Sequence, residues 1–308
     1  MSTTSQVALD AERRSSPAPG RALRISAWAS FVLNVLIIAT GGTVRLTGSG
    51  LGCTDWPVCT PGSLVPTSEL GIHGVIEFAN RTISGPLLIA ALLVLVLSWR
   101  IRGHRRGLLV LSVVVFALVV VQALVGAFVV WEELAAALVG FHYTVSVIIV
   151  CITAAYLARL AEVPGLRERA VPRGFAILAH CAALVMAVTV VFGVTTTASG
   201  PHSGDDRVVR DGFDATVMSH VHAWPGYLLA GLIVVLVVWS VLARLRTVRW
   251  SFVLLAVALV QIAVGVYQAR NGLPVVAVGI HMVLAALNAA VLTVLLVRLK
   301  RPIAVADE

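Results

Sequence analysis

The sequence predicts an all-α integral membrane protein, in which eight transmembrane helices form two pseudo-repeated four-helix bundles and both termini are cytoplasmic. Three observations support this fold class. Hydrophobic residues make up 59% of the 308 positions and charged residues only 12%, far from the balance of a soluble globular domain. Eight apolar runs are long enough to cross a bilayer, and segments of the first half recur in the second.

Each predicted helix rests on an apolar run of roughly the 20 residues needed to span the hydrocarbon core. The runs cover residues 25–44, 76–99, 108–130, 136–158, 174–196, 219–243, 250–269 and 276–297. They predict a multi-pass protein of the cell membrane, with the lipid bilayer around most of its surface. Residues 1–24 begin with a polar segment rich in Ser, Pro and charge, so we predict a disordered cytoplasmic tail rather than a signal peptide.

Basic residues mark the predicted cytoplasmic side of the membrane. They concentrate before helix one and after helices two, four, six and eight, and the positive-inside rule places these ends in the cytoplasm. The formal net charge of +8 therefore reflects membrane topology, and no nucleic-acid partner is predicted.

The same rule places the loop with Cys53 and Cys59 outside, where disulfides form and persist. Gly50, Gly52 and Pro57 supply the turns that a short closed loop needs. The loop therefore favours a disulfide, with two free thiols as the alternative.

The second half of the chain repeats the first. "VQALVG" at 121–126 matches "VQIAVG" at 260–265, and "VGFH" at 139–142 matches "VGIH" at 278–281, each 139 residues later. A weaker match at another spacing pairs Asn80 with His222. We therefore predict an N-terminal half over 25–160, a cytoplasmic linker over 161–173, a C-terminal half over 174–299 and a cytoplasmic tail over 300–308.

Polar side chains within the spans share one depth. Glu77, Asn80, His142, His222 and His281 each lie in the first two turns of helices that run inward. Ionisable residues inside membranes are costly and usually functional, and bundles place cofactor ligands at equal depth on facing helices. We predict a ligand site in each half.

In the second half, His222 and His281 are predicted to coordinate one haem from two sides, which suits electron transfer. The alternative is that each histidine only hydrogen-bonds a neighbouring helix. His220 competes with His222, but residues two apart face nearly opposite ways, and we prefer His222 because it lies deeper.

In the first half, the equivalent pair is Asn80 and His142, and Asn is a poor ligand for haem iron. This half is therefore predicted to hold a haem more loosely, as a substrate. Glu77 lies one turn before Asn80 and is the candidate catalytic carboxylate. Its alternative role is an ion pair with Arg81 at the start of the helix. Arg45 and Arg81 either pair with haem propionates or extend to the lipid headgroups.

Five segments in order, from Gly41 to Leu287, resemble those of the haem A synthase family: "GGTVRLTGSGLGCTDWPVC", "IEFANR", "FHYTVS", "SHVHAW" and "IHMVLAAL". The resemblance implies an oxidoreductase that converts the C8 methyl group of haem O to a formyl group by successive hydroxylations, with haem b as its cofactor. Haem O synthase, an electron carrier and a second copy of the chain are the candidate partners.

The resemblance also implies roles for individual residues. Glu77 is then the catalytic residue, His222 and His281 hold haem b, and His142 faces the substrate haem. Cys53 and Cys59 resemble a pair implicated in disulfide exchange, so their bridge is either redox-active or orders the site.

Two departures from the family pattern matter. Many members have histidine where this chain has Asn80, and some have a second cysteine pair between helices five and six. Water, Glu77 or His73 then remains for the iron face opposite His142. A non-enzymatic cytochrome b, a haem carrier and a transporter are the alternative functions.

Overall fold

The computed structural model describes residues 19–303 except 201, 203 and 206–211, so the predicted tails at 1–18 and 304–308 lie outside the described residues. Eight helices in it are long and apolar enough to cross a membrane. They are α1 (Arg21–Leu46), α2 (Gly71–Arg100), α3 (Arg102–Trp131), α4 (Ala136–Leu160), α5 (Arg173–Ser199), α6 (Ala215–Leu242), α7 (Val248–Arg270) and α8 (Val275–Val297). The prediction of a multi-pass, all-α membrane protein is confirmed.

Several helices extend beyond the apolar runs that predicted them. α2 begins at Gly71 and α3 at Arg102, several residues before the apolar runs at 76 and 108. Helical hydrogen bonding continues there because the ends of membrane helices lie in the polar interfacial region, where charged side chains are solvated. His73, which the apolar run leaves in the loop, therefore lies in the first turn of α2.

The helix packing follows the predicted duplication. α4 and α8 pack against each other between the halves, while α1 also contacts α8 and α5 contacts α4. Tyr143 Oη donates a hydrogen bond of 2.9 Å to the carbonyl of Met282, its equivalent 139 residues later. Equivalent positions therefore meet between the two halves, which supports a pseudo-two-fold relation.

The main hydrophobic core lies in the second half and along the α4–α8 contact. Its fully buried members include Val150, Phe175, Leu236, Leu254 and Leu295. The first half contains two smaller buried clusters around Leu108 and Leu87. The duplicated halves therefore differ in how their interiors are filled.

One end of the bundle, here called the basic end, carries residues 161–172 and 243–247. Two short strands pair there in antiparallel fashion, β1 (Arg167–Arg169) and β2 (Lys300–Pro302). Arg167 donates to Glu162 Oε2 at 2.6 Å and to the carbonyls of Val297 and Lys300. The predicted linker and tail therefore form a ribbon that sequence analysis missed.

The opposite end, here called the cysteine end, carries residues 47–70, 132–135 and 271–274. Arg45 reaches across the halves and donates to the carbonyls of His202 and Thr197 at 2.8 and 3.1 Å. The His202 ring in turn bonds the carbonyl of Leu273 at 3.0 Å. Arg45 therefore joins loops of both halves, a role that the sequence did not predict.

Candidate functional site

Four side chains near the cysteine end lie beside glycines on neighbouring helices. A Cβ atom built on each glycine would point at its side chain, and both members of one pair are repeated in the other half. The contacts are Gly41 with Asn80, Gly126 with His142, Gly193 with His222, and Gly265 with His281. The structure therefore supports the weaker sequence match that pairs Asn80 with His222.

In the second half, the rings of His222 and His281 face each other. Their centroids are 6.1 Å apart and their planes are nearly perpendicular, at 79°. His222 Nδ1 lies 3.0 Å from the carbonyl of Thr189, and a carbonyl can only accept a hydrogen bond. Nδ1 therefore carries the proton, which leaves the lone pair on Nε2 free to bind a metal.

Glycine is required beside both of these rings. An added Cβ would lie 2.9 Å from Cε1 of His222 at Gly193, and 2.9 Å from Cε1 of His281 at Gly265. Carbon atoms normally approach only to about 3.5–4.0 Å. Each imidazole is therefore seated directly against the backbone of the facing helix.

The histidine pair fits the axial ligand set of a haem. Two imidazoles on opposite sides of one metal, with bonds of about 2.0 Å, would have centroids roughly 6 Å apart. Gln261 Nε2 lies 3.2 Å from His281 Nε2, while His281 Nδ1 is buried and finds no partner among the described residues. His220 is exposed and bonds the carbonyl of Thr216. Ligation by His222 and His281 stays a prediction.

In the first half, His142 has a looser environment. An added Cβ on Gly126 would lie 3.7 Å from His142 Cε1, an ordinary contact distance. Gln122 donates to the backbone carbonyl of His142 at 2.6 Å and to Ser146 Oγ at 2.8 Å. Gln122 therefore holds the helix backbone, whereas its equivalent Gln261 contacts the histidine ring.

Asn80 is engaged with α1. Its Oδ1 accepts a hydrogen bond of 2.7 Å from Thr40 Oγ1, one residue before Gly41. The amide is therefore held against α1 at the position where the second half has the His222 ring. Sequence analysis missed Thr40, because a lone threonine in an apolar helix carries no signal of its own.

Glu77 is buried, with 4% of its surface exposed, and it binds the cysteine loop. Its Oε2 accepts a hydrogen bond of 2.7 Å from the backbone N–H of Cys53, and its Oε1 pairs with Arg81. Arg81 also donates to the carbonyls of Asp55 and Val58 at 2.6 and 3.1 Å. The ion pair offered as the alternative role of Glu77 is present, and the catalytic role stays a prediction.

Cys53 and Cys59 form a disulfide, as predicted, and both are fully buried. The loop packs closely on the first turn of α2, since an added Cβ on Gly52 would lie 2.3 Å from the carbonyl oxygen of His73. Ser49 Oγ lies 2.9 Å from His73 Nδ1. The ring of His73 therefore helps to hold the loop.

A family model described as "Cytochrome oxidase assembly protein", COX15-CtaA, matches residues 24–296. The chain belongs to the COX15-CtaA family. It is also similar to proteins named "Heme A synthase" from Bacillus cereus, Bacillus anthracis and Bacillus thuringiensis subsp. konkukian. Each is 40% identical over 119 residues, which cover 38% of this chain and 37% of the relative. The resemblance found in the sequence is confirmed at the level of the family.

In this member of the COX15-CtaA family, the predicted residues fall into separate groups. His222 and His281 meet in the second half, while Glu77 and Arg81 join the disulfide loop. His142 lies against α3, and Asn80 lies against α1. The glycines that seat the rings were visible in the sequence only as repeated positions.

Proposed function

We propose that this protein is a haem A synthase, which oxidises the C8 methyl group of haem O to a formyl group by successive hydroxylations. One observation carries the proposal: a duplicated site keeps a histidine pair in one half and has Asn80 with His142 in the other, near a buried carboxylate. The similarity to proteins named heme A synthase supports the same reaction.

His222 and His281 would hold haem b as the redox cofactor of the second half. When bound, this haem supplies one-electron transfer through an iron whose two axial positions are filled. The carbonyl of Thr189 orients the ring of His222 through its Nδ1 proton, and Gly193 and Gly265 fix where the rings lie. Such support is typical of histidine ligands.

Haem O is the proposed substrate of the first half. His142 is the imidazole that would face it, and no second histidine stands at position 80. A site with fewer protein ligands holds its occupant less tightly, which suits a molecule that must enter and leave. The contact between Gly126 and His142 is also looser than its counterpart, which leaves the ring freer to adjust.

Glu77 is the proposed catalytic residue. Oxidation of a methyl group to a formyl group removes protons as well as electrons from the carbon, so a positioned carboxylate can accept a proton. It can also stabilise positive charge that develops on the substrate. The Cys53 N–H and the Arg81 guanidinium position the carboxylate by hydrogen bonds to both of its oxygens.

The Cys53–Cys59 disulfide is proposed to order the site. Glu77 and Arg81 both bind backbone groups between residues 53 and 58, so the closed loop and the carboxylate hold each other in place. Haem O synthase, an electron carrier and a second copy of this chain remain proposed partners. A membrane cytochrome b is the second candidate function, since the His222–His281 pair alone would serve electron transfer.

The test is expression in cells that make haem O but not haem A, followed by haem extraction and mass spectrometry. We expect a hydroxymethyl or formyl derivative of haem O, and its loss in Glu77→Gln. Glu69→Gln is the matched control, because Glu69 is an exposed carboxylate in the same outer segment. Unmodified haem O beside folded protein with bound haem b would refute the synthase and favour the cytochrome.

A further inference from the structure

A small cavity lies at the centre of the first half, towards the basic end. Residues of α1, α2, α3 and α4 all line it, and its polar wall consists of Ser30, Ser112, Thr153 and Tyr156. The cavity leaves about 10 Å³ for the centre of a water molecule. This is close to the smallest space that holds one buried water.

The second half has no counterpart to this polar wall. Leu292 and Leu295 stand 139 residues after Thr153 and Tyr156, and both are buried members of the main hydrophobic core. Leu254 likewise stands where the first half has Val115, which also lines the cavity. Larger apolar side chains therefore fill the equivalent position, while smaller and more polar residues leave it open in the first half.

Ser30 lines the cavity with an unpaired hydroxyl. The residue is only 2% exposed, and its Oγ has no hydrogen-bond partner within the described part of the chain. An unsatisfied buried hydroxyl costs free energy, and such groups usually bind an ordered water. Ser30 is therefore a donor that points to a ligand in the cavity.

The other polar groups can complete the coordination of that ligand. Ser112 Oγ donates to the carbonyl of Leu109, and Thr153 Oγ1 donates to the carbonyl of Val150, each at 2.8 Å. Each hydroxyl oxygen then keeps lone pairs that can accept a hydrogen bond. A water molecule could accept from Ser30 and donate to Ser112 and Thr153, which gives the three bonds typical of buried water.

We infer that this cavity is a hydration site, which binds one water molecule through Ser30, Ser112 and Thr153 in the first half alone. Tyr156 Oη and Ser98 Oγ lie 2.7 Å apart beside it and continue the buried polar groups. The half that carries Glu77 therefore has an internal water where its duplicate has a dry leucine core. This inference does not depend on the proposed reaction.

Radiolytic footprinting in ¹⁸O-labelled water tests the site on the purified full chain, because hydroxyl radicals form from bound water and label the side chains beside it. We expect Tyr156 to be labelled faster than Tyr143, which is buried between α4 and α8 without a cavity. In Thr153→Leu, which copies the second half, labelling of Tyr156 should fall to the level of Tyr143. Val115→Leu fills the cavity from another helix, so the test stands if one variant fails to fold.

Equal labelling of Tyr156 in the native chain and in a folded filling variant would overturn the inference. Thermal unfolding gives a second test with an opposite sign for each case. If Ser30 binds water, Ser30→Ala removes a satisfied hydroxyl and should lower the unfolding midpoint. If the cavity is dry, the same change removes an unpaired hydroxyl and should raise the midpoint, which would also overturn the inference.

Discussion

A single methyl group added at Gly265 is expected to displace the ring of His281. The Cβ of Gly265→Ala would lie 2.9 Å from Cε1 and 3.3 Å from Nδ1 of that ring. Carbon contacts are favourable at about 3.5–4.0 Å, so the ring or the α7 backbone must move by roughly 0.6–1 Å. Because Gly265 lies within α7, the backbone cannot yield without disturbing the helix, and we expect the ring to move.

Overpacking of this kind costs about 1–3 kcal/mol. If that cost falls on the geometry needed to bind haem, affinity in the second half should drop by about 5-fold to 150-fold, at tenfold for each 1.4 kcal/mol. The same loss is expected for Gly193→Ala, whose Cβ would lie 2.9 Å from Cε1 and 3.2 Å from Nδ1 of His222.

The assay is the ratio of haem b to protein after purification, followed by haem loss to a scavenger. Gly126→Ala is the matched control, because its Cβ would meet His142 at 3.7 Å, an ordinary contact. We expect it to retain haem b as the native chain does. If Gly265→Ala keeps native haem content and haem-loss rate, or if Gly126→Ala loses haem equally, the reasoning from ring seating is refuted.

Three other predictions concern Arg81, Tyr143 and Asn80. Arg81→Gln removes charged hydrogen bonds to Glu77 and to two loop carbonyls, so the free energy of unfolding should fall by about 1.5–3 kcal/mol; an unchanged denaturant midpoint would contradict this. Tyr143→Phe removes one hydrogen bond between the halves and should cost about 1 kcal/mol in the same assay, while haem content stays native. Asn80→His places an imidazole at the position equivalent to His222 and should raise the number of haems retained per chain, counted by pyridine haemochrome spectra. No gain in a folded variant would argue against a haem site there.

The sequence was most informative where one physical constraint acts along the chain. The length of an apolar run decides whether a helix can cross a bilayer, so all eight helices could be predicted. The spacing of 139 residues predicted the duplication, because a repeat preserves the positions that pack between helices. The Cys53–Cys59 disulfide could be predicted from its compartment and its turn residues.

The candidate site was less accessible, because its contacts join segments that are distant in the chain. Glu77 and Arg81 bind backbone groups of the cysteine loop, and a backbone N–H or carbonyl leaves no trace in residue identity. Thr40 reaches Asn80 through one hydroxyl, which resembles any other threonine in a membrane helix. The seating of His281 against Gly265 likewise depends on how closely two helices approach.

The β1–β2 ribbon has a consequence for how the protein is assembled. β1 lies between the two halves and β2 follows α8, so β1 has no partner until the last helix has been synthesised and inserted. If the second half were inserted upside down, the two strands would lie on opposite faces of the membrane and could not pair. Formation of the ribbon therefore reports that both halves have reached the same orientation, and protease resistance of the linker would record that checkpoint during biogenesis.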